Sequence, residues 1–221
     1  MIEAVVFDFD GVLADSEPLH LRAYQEVLAA LGVALTREEY YRDYLGYDDA
    51  GVFTALGEAH GWAMNEERLV ALIAEKGRVF DASIETSDVL YPGAAECIES
   101  LAAAYPLGIA SGALRPEIEA ILRRGRLDRH FRFIVASGDT AASKPSPDPY
   151  LRAAALHGRP PAACLAIEDS HWGIQSARDA GLPCVGIATT YPRAQLTLAT
   201  LVIDTLAEFT PALIRSIHPA R

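Results

Sequence analysis

Two aspartates one residue apart, Asp8 and Asp10, stand where the apolar run from Ile2 to Phe7 stops. Carboxylates at the end of a buried strand are costly unless something pairs with them. Other apolar runs of the chain end in chemistry too. LGIAS ends at Ser111, followed by Gly112 and Ala113. The run through Phe133–Ala136 leads into SGDTAASKPSPDP, which carries Lys144, and CLAIEDS ends at Glu168, Asp169 and Ser170. Four carboxylates at −1 and one lysine at +1 leave −3, which cannot stand without a cation. Hard oxygen donors in that number suit Mg²⁺, which keeps near-octahedral geometry and retains waters. The remaining parts fit phosphoryl transfer. A carboxylate can attack phosphorus and carry an aspartyl-phosphate. A serine hydroxyl, backbone N–H groups and a lysine can hold phosphoryl oxygens as charge spreads over them. A second carboxylate two residues on, on the same side of an extended chain, can serve as general acid and base.

These residues need a frame that brings strand ends together. Strand-like runs recur at Ile2–Phe7, Leu107–Ala110, Phe133–Ala136, Cys164–Ile167, Cys184–Ala188 and Leu201–Ile203. Helical patterns lie between them at Ala94–Ala104, Pro116–Arg124, Pro147–Leu156, Gly173–Ala180 and Ala194–Thr197. Continuous apolar strands alternating with helices predict a doubly wound α/β core with a parallel sheet, whose ligands bind at the carboxyl ends of the strands. One interval breaks the alternation. From Asp15 to Ala82 the apolar residues recur at helical spacing, as in Leu19, Ala23, Val27, Ala30 and Leu31, or Leu69, Leu72, Ile73 and Val79. Gly32, Gly46, Gly57 and Gly61 with Asn65 divide it into about four helices, and Tyr91-Pro92-Gly93 marks the return to the core. The expected organisation is therefore a core of residues 1–14 and 83–221 with an inserted helical domain, 15–82.

Composition narrows the partners. The 221 residues are 51% hydrophobic and 22% charged, enough apolar content for a substantial core. A net charge of −11 argues against a nucleic-acid-binding role, which needs a basic face. A small anionic substrate is still compatible, because a bound metal inverts the local field. Cys97, Cys164 and Cys184 are odd in number and lack metal-ligand spacing, so they read as small core residues in a reducing compartment. No apolar stretch approaches the roughly 20 residues of a membrane span, and the first apolar run is too short for a leader. A cytoplasmic, monomeric protein with no membrane partner is the expectation.

At this point four stretches, FDFDGVLADSE, IASGA, SKPSPDPYL and AIEDSHWGI, resemble in order the four motifs of the haloacid dehalogenase-like phosphotransferases. The group most similar is that of the β-phosphoglucomutases and phosphoglycolate phosphatases, whose four-helix cap the insert resembles. The resemblance implies Asp8 as nucleophile, Asp10 as acid and base, Ser111 on the phosphate, and Lys144 orienting Asp8 and neutralising charge. Mg²⁺ would sit on Asp8, the backbone carbonyl of Asp10 and Asp169, with Glu168 nearby or acting through water. His20 and Lys76 match cap residues of mutase-like members that gate or contact substrate. Where the mutase carries a cap arginine, however, this chain reads Gly46-Tyr47-Asp48-Asp49, which weighs against a bisphosphate.

Several of these residues also have plain structural readings. Ser111 could cap the helix near Pro116, Lys144 could be a solvated loop charge, and Ser170 could cap the helix after it. His20 and Lys76 could lie on a helix surface, and His171 in an exposed loop. The expected activity is a Mg²⁺-dependent phosphatase of a small phosphorylated metabolite, of sugar phosphate or phosphoglycolate type, acting through an aspartyl-phosphate. A β-phosphoglucomutase-type phosphomutase is the alternative, and a phospho-accepting signalling module ranks below it. Dehalogenase chemistry is disfavoured because Asp10 is present.

Overall fold

The structure, a computed structural model, describes residues 1–45, 47–84 and 86–217. The chain divides into two compact units, Met1–Asp15 with Val89–Arg221, and Ser16–Asp88.

The first unit is built on six parallel strands: β1 (Ala4–Phe7), β2 (Leu107–Ala110), β3 (Phe131–Val135), β4 (Cys164–Glu168), β5 (Cys184–Ile187) and β6 (Leu201–Ile203). Their order across the sheet is β3-β2-β1-β4-β5-β6. The chain steps outward from β1 to β3, then returns to β4 on the other side of β1. The order therefore reverses between β1 and β4, and at such a switch point an open parallel sheet leaves a crevice at its strand ends. β1, β2, β4 and β5 are buried along their whole length, as strands covered on both faces must be. Phe7 packs edge-on to Phe131 and Phe209, with centroids 6.0 and 5.8 Å away. On another face small residues (Ala4, Ala110, Ala153, Ala166, Ala177) let helices 148–157 and 171–179 close onto the strands. Gly108 is needed for that fit: a Cβ there would overlap the Phe133 ring and come within 3.1 Å of His157 Nε2.

Most helices follow the expected pattern within a residue or two. The differences have local causes. β1 begins at Ala4 rather than Ile2, and the third strand occupies Phe131–Val135 rather than 133–136. The expected helix at 194–197 is a single 3₁₀ turn, Arg193–Gln195, tied down by Arg193 to Asp204 at 2.7 Å. The helix Pro211–Ser216, begun by a Thr210 cap on the Leu213 N–H, carries too few periodic residues to be read in advance. The three cysteines are free and buried.

The second unit is helical: Glu17–Ala29, Arg37–Glu39 continuing into a π-turn at Tyr40–Tyr44, Asp49–His60 and Glu66–Ile84. Start signals are explicit. Thr36 and Glu39 form a reciprocal capping box, Asp48 accepts from the Gly51 N–H at 2.7 Å, and Asn65 accepts from the Arg68 N–H at 2.8 Å. Gly61 closes its helix in the left-handed region at φ 66°, which glycine adopts without steric cost. Gly57, expected as a break, lies inside a helix, and Leu31 lies beyond the end of one. Gly46 falls outside the described residues. Tyr24, Phe53, Leu56, Phe80 and Ile84 fill the interior.

Candidate active site

Asp8 follows β1 directly and donates its backbone N–H to the Ile167 carbonyl at 3.0 Å. This locks the end of β1 to β4, level with Glu168. From the loop after β3, Lys144 reaches both carboxylates: its Nζ is 2.7 Å from Asp8 Oδ1 and 2.5 Å from Glu168 Oε1. Lys144, 13% exposed, is thus a largely enclosed ion-pair partner, not a solvated loop charge. Asp169 completes the group: oxygens of Asp8, Glu168 and Asp169 all lie within 4.8 Å of one another. Asp10 stands two residues past Asp8 and is partly exposed.

Glu168 has no exposure at all, and donors surround its carboxylate. Oε1 accepts from Lys144 and, at 3.0 Å, from the Tyr150 hydroxyl. Oε2 accepts from the N–H groups of Asp169 and Ser170, at 3.1 and 3.3 Å, and from the Ser170 hydroxyl at 3.1 Å. A carboxylate has about four lone-pair sites, so these five contacts fill it. Ser170 also caps helix 171–179 through the Gly173 N–H at 3.1 Å. A Cβ at Gly173 would overlap the Glu168 carboxylate, so the helix comes this close only with glycine there. His171 opens that helix, against Trp172 and Tyr191, rather than lying in a loop.

Electrostatics expose a deficit of positive charge. Burial raises the Asp8 pKa to about 7, with the Glu168 charge adding and Lys144 opposing. Burial, Glu168 and Asp8 likewise push Asp169 well above the usual carboxylate range, against a hydrogen bond from Thr190. Burial works against the charge on Lys144, but Asp8 and Glu168 outweigh it and hold its pKa above the ordinary value. Three buried carboxylates around a single ammonium suit one further hard cation: the donors are all oxygens and close enough to share it. The residues fit Mg²⁺.

Ser111 is buried at the end of β2, whose register sets Phe7 opposite Ile109 and so puts Asp8 level with Ala110. It does not cap the next helix, whose cap position is Leu114. The Ala113 N–H is spent on Ser111 Oγ at 3.1 Å, which leaves the hydroxyl proton to point elsewhere, while Gly112 is exposed.

In the helical unit, His20 and Lys76 meet each other. Lys76 is 1% exposed, with Nζ 2.7 Å from His20 Nδ1 and 2.9 Å from an Asp49 oxygen. The same oxygen accepts from the Tyr24 hydroxyl at 2.5 Å, and the His20 ring stacks on Phe80 at 4.2 Å. Burial and the neighbouring Lys76 charge lower the His20 pKa to about 3, so the ring is neutral. Lys76 is not on a helix surface, and His20 is only partly exposed. The acidic pair 48–49 is engaged too, Asp48 as a helix cap and Asp49 on Lys76.

Tyr150, Thr189 and Thr190 were not read from the sequence, and Asp49, read as unfavourable to a bisphosphate, is the partner of Lys76. Tyr150 directly follows Pro149, the third of three prolines after Lys144. The threonines lie in the turn just past β5, beyond a strand terminus like the others.

Comparison with known proteins gives the family. A model of haloacid dehalogenase-like hydrolases matches residues 2–181. The chain is 37% identical to the protein CbbY of Cereibacter sphaeroides, over 94% of each chain. It is 31% identical to a phosphorylated carbohydrates phosphatase of Thermotoga maritima, over 82% of each. Among solved structures, a variant of CbbY from Rhodobacter sphaeroides in complex with xylulose-(1,5)bisphosphate superposes with a TM-score of 0.81 at 32% identity, covering 94% of this chain and 96% of that one. With buried carboxylates and a lysine gathered at the switch point of a parallel sheet, and with relatives matched over nearly its whole length, the chain belongs to the haloacid dehalogenase-like hydrolases.

Proposed function

We propose that this hydrolase is a Mg²⁺-dependent phosphatase of a small phosphorylated carbohydrate, working through an aspartyl-phosphate on Asp8. The observation that carries the reading is the single ammonium, Lys144, held between Asp8 and Glu168 with Asp169 alongside. One oxygen of Asp8 attacks phosphorus and the bond to the sugar oxygen breaks. Asp10 gives its proton to that leaving oxygen. Asp10 then takes a proton from the incoming water as water attacks phosphorus, the bond to Asp8 breaks, and inorganic phosphate leaves. Lys144 steadies the nucleophile and one phosphoryl oxygen, while the Ser111 hydroxyl and the exposed Gly112 N–H serve the others. Asp8, Asp169 and the Asp10 carbonyl would hold Mg²⁺, which when bound would supply the positive charge that lets a phosphate approach these carboxylates. Glu168, already filled by protein donors, anchors Lys144 and would serve the ion only through water.

The relatives named for phosphorylated carbohydrates and crystallised with xylulose-(1,5)bisphosphate support a sugar phosphate as substrate. We assign selection of the leaving group to the helical unit, as a cap domain. The Lys76–His20 contact favours a second reading, the phosphomutase, but Asp49 already neutralises Lys76. Phosphate release from a panel of sugar phosphates, xylulose-(1,5)bisphosphate and phosphoglycolate, with Mg²⁺ or EDTA, tests the proposal. Mg²⁺-dependent release lost in Asp8→Asn and Asp10→Asn is expected. Isomerisation of β-glucose 1-phosphate without release would establish the mutase, and a stable phosphoryl group on Asp8 with no turnover a signalling module.

A further inference from the structure

The turn that follows β5 reaches across the end of β4 to the loop that follows β1. Thr189 donates its hydroxyl to the Gly11 carbonyl, and Thr190 donates its hydroxyl to the Asp169 carboxylate. β1 and β5 are not neighbours, since β4 lies between them. The two threonines therefore bridge the strand end that carries Asp169. Gly11 is fixed at both of its peptide groups, because its N–H also donates to the Ala14 carbonyl at 2.8 Å. It sits at φ 76°, and a Cβ there would overlap the Asp169 carboxylate and come within 2.7 Å of Thr190 Oγ1. Gly11, Asp169 and Thr190 are thus packed against one another, on the residue that follows Asp10.

We infer that Thr189 and Thr190 are positioning residues for the metal site: they clasp the Asp10–Gly11 segment and Asp169 in one fixed relation. The inference rests on the reading of Asp8, the Asp10 carbonyl and Asp169 as Mg²⁺ ligands. Thr190 orients one ligand directly. Thr189 holds the carbonyl next along the chain from the Asp10 carbonyl, and so sets the direction of that second ligand. Nothing else in the reaction uses these hydroxyls, which touch neither the nucleophile nor Lys144. Outer partners that orient metal ligands are worth about 10- to 100-fold in metal affinity.

The test is Mn²⁺ binding to the full chain without substrate, followed by electron paramagnetic resonance, for the native protein, Thr190→Val, Thr190→Ser and Thr189→Val. Thr190 is exposed, so valine there keeps the shape without threatening folding; melting in EDTA checks this. Mn²⁺ affinity about 10-fold or more weaker in Thr190→Val, near native in Thr190→Ser, with unchanged melting in EDTA, is expected. Thr189→Val should weaken binding by a smaller factor, and excess Mg²⁺ should restore phosphate release in both variants. Native-like affinity in both valine variants overturns the clasp while leaving the phosphatase intact. A native chain that binds no Mn²⁺ overturns the clasp and the metal-dependent reading together.

Discussion

Each unit of this protein sets a lysine among ionisable groups, and the two clusters balance differently. In the helical unit Lys76 faces one carboxylate, Asp49, with His20 neutral beside it and the Tyr24 hydroxyl donating to Asp49. One positive and one negative charge close the account. At the sheet edge Lys144 faces Asp8 and Glu168, with Asp169 beside them, so three negatives meet one positive and leave −2. The first cluster is complete and holds helices together. The second shows its incompleteness in the raised pKa values of Asp8 and Asp169. A lysine set among acidic groups is thus no sign by itself of a centre that needs a further cation; the unbalanced charge around Lys144 is what separates the two clusters.

Removing the cation from each cluster breaks the comparison most sharply. Lys144→Met should cut Mg²⁺-dependent phosphate release by on the order of 10²–10³-fold, the loss typical of one oxyanion-stabilising donor. Lys76→Met should instead cost about 3 kcal/mol in urea unfolding, because Asp49 is left poorly solvated without a partner. Lys76→Met combined with Asp49→Leu should recover most of that loss, and failure to recover would show the pair is not self-contained. Metal should act on one cluster only. Mg²⁺ at 100 times its dissociation constant should add about 2.7 kcal/mol of stability, seen by calorimetry as a higher melting temperature. In Asp169→Asn the increment should largely vanish, while Asp49→Asn should keep it.

A pH slope sharpens the contrast from the helical side. His20 titrates at about 3 in the folded chain against 6.5 ordinarily, so the unfolded chain takes up its proton first as pH falls. Its contribution to stability is whole above 6.5 and drains away as pH drops toward 3. His20→Asn should flatten the dependence of melting temperature on pH across that window; an unchanged slope would place the histidine's burial elsewhere in the balance.

The sheet edge was more legible in the sequence than the helical interior, and for a physical reason. A strand that ends in a carboxylate interrupts an apolar run, and the parallel architecture brings such ends together without further information. Asp8, Lys144 and Asp169 could be read that way. The burial of Lys76 could not, because a lysine within an amphipathic helix looks the same whether it points outward or in among Tyr24, Phe80, His20 and Asp49. Asp49 looked like repulsion for a phosphate and is in fact the partner of that lysine. Tyr150, Thr189 and Thr190 act through hydroxyl contacts between segments far apart in the chain, which no local pattern encodes. Glycine gave a weak signal as well: Gly61 ends a helix as read, whereas Gly57 sits within one.

The core loop that leaves the sheet and the one that returns to it lie side by side. Asp15 donates to the Val89 carbonyl at 2.8 Å, Tyr91 donates to the Leu13 carbonyl at 2.9 Å, and Ala14 bridges Leu90. The excursion from Ser16 to Asp88 therefore begins and ends at one clamped neck, whose closure does not depend on how long the excursion is. Chains tolerate insertions at points where entry and exit are close. The helical segment is thereby a cassette, replaceable by another of different length and lining while the reactive strand ends keep their register.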